Sequence, residues 1–198
     1  MPAAIVHLVR HGEVDNPRRI RYGRLPGYRL SARGRDQALA AARHLEAVPD
    51  VVLYASPLER AVETAEIIAR HLRLGEVARD ERLLETTTVF EGQPKTAPAL
   101  PWNWPRLWNP FRPSWGEPFA QVRTRMLAAI ADLRARHPGR TVVAVSHQSP
   151  IWITRQALEQ VNPPWCGRVR CGLASVHALH FDGPGDRYTG HRYWAPPT

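Results

Sequence analysis

Lysine is almost missing from this chain of 198 residues: Lys95 is the only one, against 26 arginines. Cysteine is as scarce, with Cys166 and Cys171 the whole complement. Two thiols outside any His, Asp or Glu grouping of ligand spacing exclude a disulfide framework and a thiolate metal site, and both are read as reduced and structural. No apolar run approaches the ~20 residues that a membrane-spanning helix needs. The apolar stretch at 3–9 is too short, and too soon interrupted by Arg10 and Glu13, to be a secretory leader, so the expected location is the cytoplasm with no membrane partner. Internal repeats are also absent. The net charge of +9 is spread over helix faces and loops rather than gathered in one basic run with interleaved aromatics, which argues against a nucleic-acid partner and for a basic site that draws in anionic substrates.

What is present is an ordinary globular composition, 43% hydrophobic and 23% charged, long enough for one α/β domain spanning 1–198 with a substantial core. The apolar stretch at 3–9, then Val51–Ala55 and Thr141–Val145, read as buried strands, with a short third strand at 76–78 and a following segment at 80–85. Ala174–Phe181 and Tyr188–Trp194 finish the sheet. Helices are expected after Ser31 as N-cap, after Ser56-Pro57-Leu58-Glu59 as a capping box with proline in the first turn, from Pro118, and from Ser149-Pro150 to about Gln160. Strand–helix alternation predicts a three-layer α/β/α sandwich with a mostly parallel central sheet. A Pro/Trp-rich insert at about 90–119, carrying Trp102, Trp104, Trp108 and Trp115, breaks the pattern. It is expected either to pack as an aromatic satellite core or to wall a substrate pocket, and tryptophans exposed there would imply a homodimer.

Three predicted strands end in residues suited to an anion: Arg10 and His11 after the first, Arg60 just inside the helix after the second, and His147 after the fourth. In a parallel sheet these carboxyl ends share one edge, beside helix N-termini whose free amides also favour an anion. A guanidinium grips oxyanion oxygens in a fork while a neutral imidazole nitrogen serves as nucleophile.

Arg10-His11-Gly12 on a first strand resembles the signature of the histidine phosphatase, or phosphoglycerate-mutase-like, superfamily. Ser56 to Ala65 resembles its second signature, Val145-Ser146-His147 its third, Arg82-Leu83-Leu84-Glu85 the segment that supplies its acid, and Leu30 to Ala38 its early helix. The resemblance implies a metal-independent phosphatase with no cofactor, acting on a small phosphorylated molecule. His11 attacks phosphorus, Arg10, Arg60 and His147 hold the oxygens, and Glu85 protonates the leaving group and then activates water. Glu91 is the next candidate for the acid. Asn16 resembles the family's phosphate-contacting asparagine, one residue closer to the nucleophile. Gln148 stands where glycine is more familiar and brings an amide to the pocket, and Arg21 and Arg24 are candidates for a second anionic group of the substrate. A phosphoglycerate-type mutase and a non-catalytic phosphate-binding or protein-interaction module are the competing readings.

Overall fold

The computed structural model describes residues 4–107, 116–161, 170–182 and 187–197. The elements run β1 (Ile5–Arg10), α1 (Ala32–His44), β2 (Val51–Ala55), α2 (Glu59–His71), β3 (Ala78–Arg79), a single turn α3 (Trp104–Leu107), α4 (Phe119–Arg136), β4 (Thr141–Ser146), α5 (Gln148–Leu158), β5 (Val176–Asp182) and β6 (Arg187–Trp194). One sheet of order β3-β2-β4-β1-β5-β6 holds all six strands, parallel from β3 to β1 and antiparallel at β5 and β6.

The central strands are apolar on both faces because both faces are covered. Val6 and Leu8 of β1 and Val142 and Ala144 of β4 pack with Met126, Ile130 and Leu133 of α4 and Ile151 of α5. The alternate residues Val9, Val143 and Val145 pack with Ala41 and Ala42 of α1 and Ala61, Ala65 and Ile68 of α2. Period-2 alternation thus divides the strands between two cores, and the two helical layers make the expected sandwich.

Three local expectations are revised. Helix α2 begins at Glu59 with Leu58 as its N-cap and no side-chain cap; Ser56 stands two residues before that cap, its hydroxyl meeting the Leu58 amide at 3.5 Å and the buried His147 imidazole at 2.8 Å. A buried ring nitrogen has no water to turn to, whereas first-turn amides do. Helix α5 begins at Gln148 with His147 in the N-cap position, so Pro150 lies in the first turn, where no amide hydrogen is required. The third strand is only Ala78–Arg79. The segment after it is a 3-10 turn at Glu81–Leu83 whose Asp80 cap accepts from the Arg82 amide at 2.9 Å. Ser31 caps α1 as expected, accepting from the Gly34 amide.

Glycine is required where α1 meets the loop after β1. A Cβ on Gly34 would lie 2.0 Å from the Glu13 carbonyl oxygen, and one on Gly12 would lie 2.3 Å from that of Gly34. Backbone thus meets backbone directly under the turn that carries His11. Gly34→Ala is expected to destabilise the chain by about 1–3 kcal/mol, read as a lower urea midpoint with unchanged slope; an unshifted midpoint would contradict the close approach.

Two buried histidines outside the anion site make stability depend on pH. His7, in β1, is held at about 4 by burial and by His44 and His180, and His177, in β5, at about 3 by burial, Arg155 and His191. Both are neutral in the fold and both would protonate near 6.5 in the unfolded chain. The unfolded chain therefore binds more protons below pH 6.5, and stability, complete above that value, falls as the pH drops toward 4. Each histidine adds a slope of about 1.4 kcal/mol per pH unit in that window. His7→Asn is expected to flatten the stability–pH curve by one proton between pH 6 and 4.5, measured by denaturant titration at several pH values.

Candidate active site

β1, β2 and β4 end side by side, and the residues just past their ends meet. The backbone of His11 is pinned from both flanks, its amide donating to the Ser146 carbonyl at 3.1 Å and its carbonyl accepting from the Ala174 amide at 3.1 Å. The Gly12 amide donates to the Thr64 hydroxyl of α2 at 3.2 Å, and that hydroxyl donates to the Arg60 carbonyl. One threonine therefore ties the histidine turn to the helix turn that carries Arg60.

The His11 ring is buried and its Nδ1 lies 2.7 Å from the Gly12 carbonyl oxygen. A carbonyl only accepts, so Nδ1 carries the proton and the lone pair of the neutral ring is on Nε2. Burial, and then the guanidinium groups of Arg60 and Arg10, holds this imidazole well below its ordinary protonation range. The ring of His147 stands 5.2 Å away, centroid to centroid. It too is held well below the ordinary range, by burial first and then by Arg60 and His11. Its Nε2 is 2.8 Å from the Ser56 hydroxyl.

The two arginines are anchored through backbone oxygens rather than carboxylates. Arg10 donates from Nη1 to the Cys171 carbonyl at 2.6 Å, and Arg60 from Nη2 to the Gly23 carbonyl at 2.6 Å. Arg60 is 1% exposed and its guanidinium carbon lies 4.8 Å over the Tyr22 ring, which itself stacks on Tyr28 at 5.2 Å. Because no carboxylate among the described residues forms an ion pair with either guanidinium, their positive charge remains available to an anion. Among the described residues, Arg10 Nε, Arg60 Nε and His147 Nδ1 are buried without a hydrogen-bond partner, a donor set that suits a tetrahedral oxyanion.

A cavity of about 600 Å³ opens above His11 and Arg10. Glu85, Tyr22 and Gln148 line it, with aromatic walls from Phe90, Phe119 and Trp152. The Glu85 carboxylate accepts from the Thr86 amide at 2.8 Å and from its hydroxyl at 3.3 Å. No three His, Cys, Asp or Glu side chains among the described residues gather as a metal site would require.

Two candidates from the sequence lie elsewhere. Asn16 closes on its own loop, its amide donating to the Ile20 carbonyl and its oxygen accepting from the Ile20 amide; an asparagine one residue nearer to the nucleophile completes a turn instead of reaching the pocket. The Arg24 guanidinium is held by the Glu85 carbonyl at 2.6 Å and by Glu117 at 3.2 Å, and Arg24 is not among the residues that line the cavity. Glu91, the alternative acid, caps the Arg24 amide at 2.9 Å, while Arg21 lines the cavity. In the described part of the insert Trp102 and Trp104 are 72% and 62% exposed, whereas Phe90, Pro98 and Gly116 help wall the cavity. Trp108, Trp115 and Cys166 lie outside the described residues. Sequence reasoning also passed over Tyr22, Ser56 and Thr64, whose roles depend on contacts across 38 to 91 residues of chain. Only their place in the quoted motifs could have flagged Ser56 and Thr64.

Comparison with known proteins agrees with this architecture. An uncharacterized protein of Mycobacterium tuberculosis is 46% identical over 183 residues, 90% of each chain. Phosphoserine phosphatase 1 of Hydrogenobacter thermophilus is 31% identical over 189 residues, 88% of this chain and 85% of that one. The structure of a mycobacterial glucosyl-3-phosphoglycerate phosphatase in complex with VO3 superposes with a TM-score of 0.79 at 28% identity, covering 98% of this chain and 100% of that one. The model of the histidine phosphatase superfamily, branch 1, matches residues 6–192, and the chain therefore belongs to the histidine phosphatase superfamily.

Proposed function

We propose that this chain hydrolyses a small phosphomonoester through a phosphohistidine on His11, without a metal ion. The observation that carries the reading is the pairing of a neutral, buried imidazole whose proton is held on Nδ1 by Gly12 with three buried, unpartnered donors from Arg10, Arg60 and His147. A module that only binds phosphate needs the donors but has no use for a nucleophile prepared in this way.

In the first half-reaction Nε2 of His11 forms the N–P bond as the ester P–O bond breaks. Arg10, Arg60 and His147 spread the charge of the equatorial oxygens. With Ser56 donating to Nε2 of His147, the proton of that ring sits on Nδ1, ready to donate to a phosphoryl oxygen. Glu85, in the cavity wall, gives its proton to the departing alkoxide. In the second half-reaction the ionised Glu85 takes a proton from water as the water oxygen bonds to phosphorus and the N–P bond breaks, returning neutral His11 and inorganic phosphate. Gln148 and the aromatic wall contact the alcohol part of the substrate. The similarity to two phosphatases, one acting by name on phosphoserine and one on glucosyl-3-phosphoglycerate, supports hydrolysis.

Native chain incubated with phenyl phosphate in the presence of a chelator is expected to release phosphate and to yield an acid-labile, base-stable phosphoenzyme on rapid quenching. His11→Ala is expected to lose both, with turnover down at least ~10³-fold. Labelling that survives in His11→Ala would place the intermediate elsewhere, and labelling of the native chain without release would favour transfer to a second substrate.

The depressed protonation range of His11 sets the acid side of the pH profile. The nucleophile stays neutral as the pH falls through 6.5, so kcat/KM is expected to show no loss from imidazole protonation between pH 7.5 and 5.5. An acid limb with its midpoint near 6.5, after allowance for substrate ionisation, would contradict the buried, cation-flanked state of the ring.

A further inference from the structure

The backbone that carries Glu85 is held by donors that converge, through two arginines, on a single carboxylate. Arg125 of α4 donates from Nη1 to the Arg82 carbonyl at 2.6 Å, the Ser146 hydroxyl to the Leu83 carbonyl at 2.7 Å, Arg24 from Nε to the Glu85 carbonyl at 2.6 Å, and the Glu117 amide to the Thr87 carbonyl at 3.3 Å. Four of the six carbonyls from 82 to 87 are therefore tied, by Arg24, Glu117, Arg125 and Ser146. Both arginines meet on Glu117. Its Oε1 accepts from Arg125 Nε at 2.8 Å, and its Oε2 accepts from Arg125 Nη2 at 3.0 Å and from Arg24 Nη2 at 3.2 Å. The carboxylate is largely shielded, its side chain 13% exposed, so little water competes for these bonds.

Glu117 lines the same cavity as Glu85, yet it is not placed as a proton donor. Both of its oxygens already accept from guanidinium groups. Its backbone is equally committed. Gly116 bridges to Thr88, and a Cβ on Gly116 would lie 2.1 Å from the Thr87 carbonyl oxygen, so the return end of the insert lies hard against the segment that bears Glu85. Removing the carboxylate frees two forks at once, and the carbonyls of residues 82 and 85 lose their fixed donors together.

We infer that Glu117 is a positioning residue which, through Arg24 and Arg125, fixes the Glu85 carboxyl at the distance from the leaving oxygen that proton transfer requires. The inference rests on the reading of Glu85 as general acid given above. It also accounts for the place of Arg24, whose guanidinium serves the acid instead of the substrate. Proton transfer in a transition state depends steeply on placement, and a misplacement of about 1 Å can cost ~10²-fold. The loss falls only on substrates whose leaving group needs the proton.

The test compares two esters on the full chain: phenyl phosphate, whose phenolate is basic and gains from protonation, and dinitrophenyl phosphate, whose phenolate departs unprotonated. The quantity read is kcat/KM, which covers the steps up to phosphoenzyme formation and leaves out the later attack of water. Glu117→Gln is expected to lower kcat/KM for phenyl phosphate by about tenfold or more while that for dinitrophenyl phosphate changes less than about threefold. Arg24→Lys, which keeps the charge but loses the fork, is expected to show the same selectivity and carries the comparison if Glu117→Gln does not fold. Equal losses on both esters, or no loss on either, would overturn the inference. Selective loss in Glu85→Gln without selective loss in Glu117→Gln or Arg24→Lys would overturn the positioning role alone. Absence of selectivity in Glu85→Gln itself would overturn the assignment of the acid and this inference with it.

Discussion

Positive charge gathered in a place shielded from water is the constraint to which the structure answers. Arg60 and two imidazoles whose rings stand 5.2 Å apart are buried together beside the Arg10 guanidinium, and among the described residues no carboxylate forms an ion pair with either guanidinium. Such a cluster is tolerable because the imidazoles remain neutral and because the guanidinium groups lean on carbonyl oxygens and on the face of Tyr22. Carbonyls and ring faces hold a cation without cancelling it. An arginine paired with glutamate in the floor would be more comfortable and would have little charge left for an anion.

Carboxylates are instead placed in the wall around this floor. Arg24, Arg125 and Glu117 form one ion-paired group above it, and Arg82 joins Asp80 and Asp132 on the outer side. The partition has a physical logic: paired charges make a stiff frame, while unpaired charges make a binding site. Both kinds of arginine come from a chain with almost no lysine, and the planar fork is what lets one side chain hold a carbonyl and a carboxylate at once, as Arg24 and Arg125 do.

Much of the framework was legible before any coordinates. The runs at β1, β2 and β4 are apolar on both faces, a pattern that a buried parallel strand requires, and the amphipathic helices α1 and α4 between them fall where Ser31 and Pro118 place them. The late strands β5 and β6 also match. Where reading went astray, a tertiary contact outweighed a local preference. Ser56 has the look of a helix cap, but it stands two residues before the N-cap and its hydroxyl meets the buried His147 ring. The tryptophans at 102 and 104 look like core, but the insert turns them outward while smaller neighbours such as Ala97 and Phe90 are buried.

By itself the sequence determined the strand–helix order, the arrival of Arg10, His11, Arg60 and His147 at one edge of a sheet, and membership of the superfamily, because each follows from short-range periodicity or from motifs a few residues long. Only the tertiary structure decided which nitrogen of His11 bears its proton, which donors are left unpaired, and what Arg24 and Glu117 hold. The His11 proton is set by the carbonyl of its own neighbour, Gly12, once the turn is folded, whereas what Arg24 and Glu117 hold depends on contacts between residues 61 and 93 positions apart, Glu85 with Arg24 and Arg24 with Glu117. No local pattern encodes a hydrogen bond across that length of chain, since its geometry exists only once the sheet and both helical layers have closed.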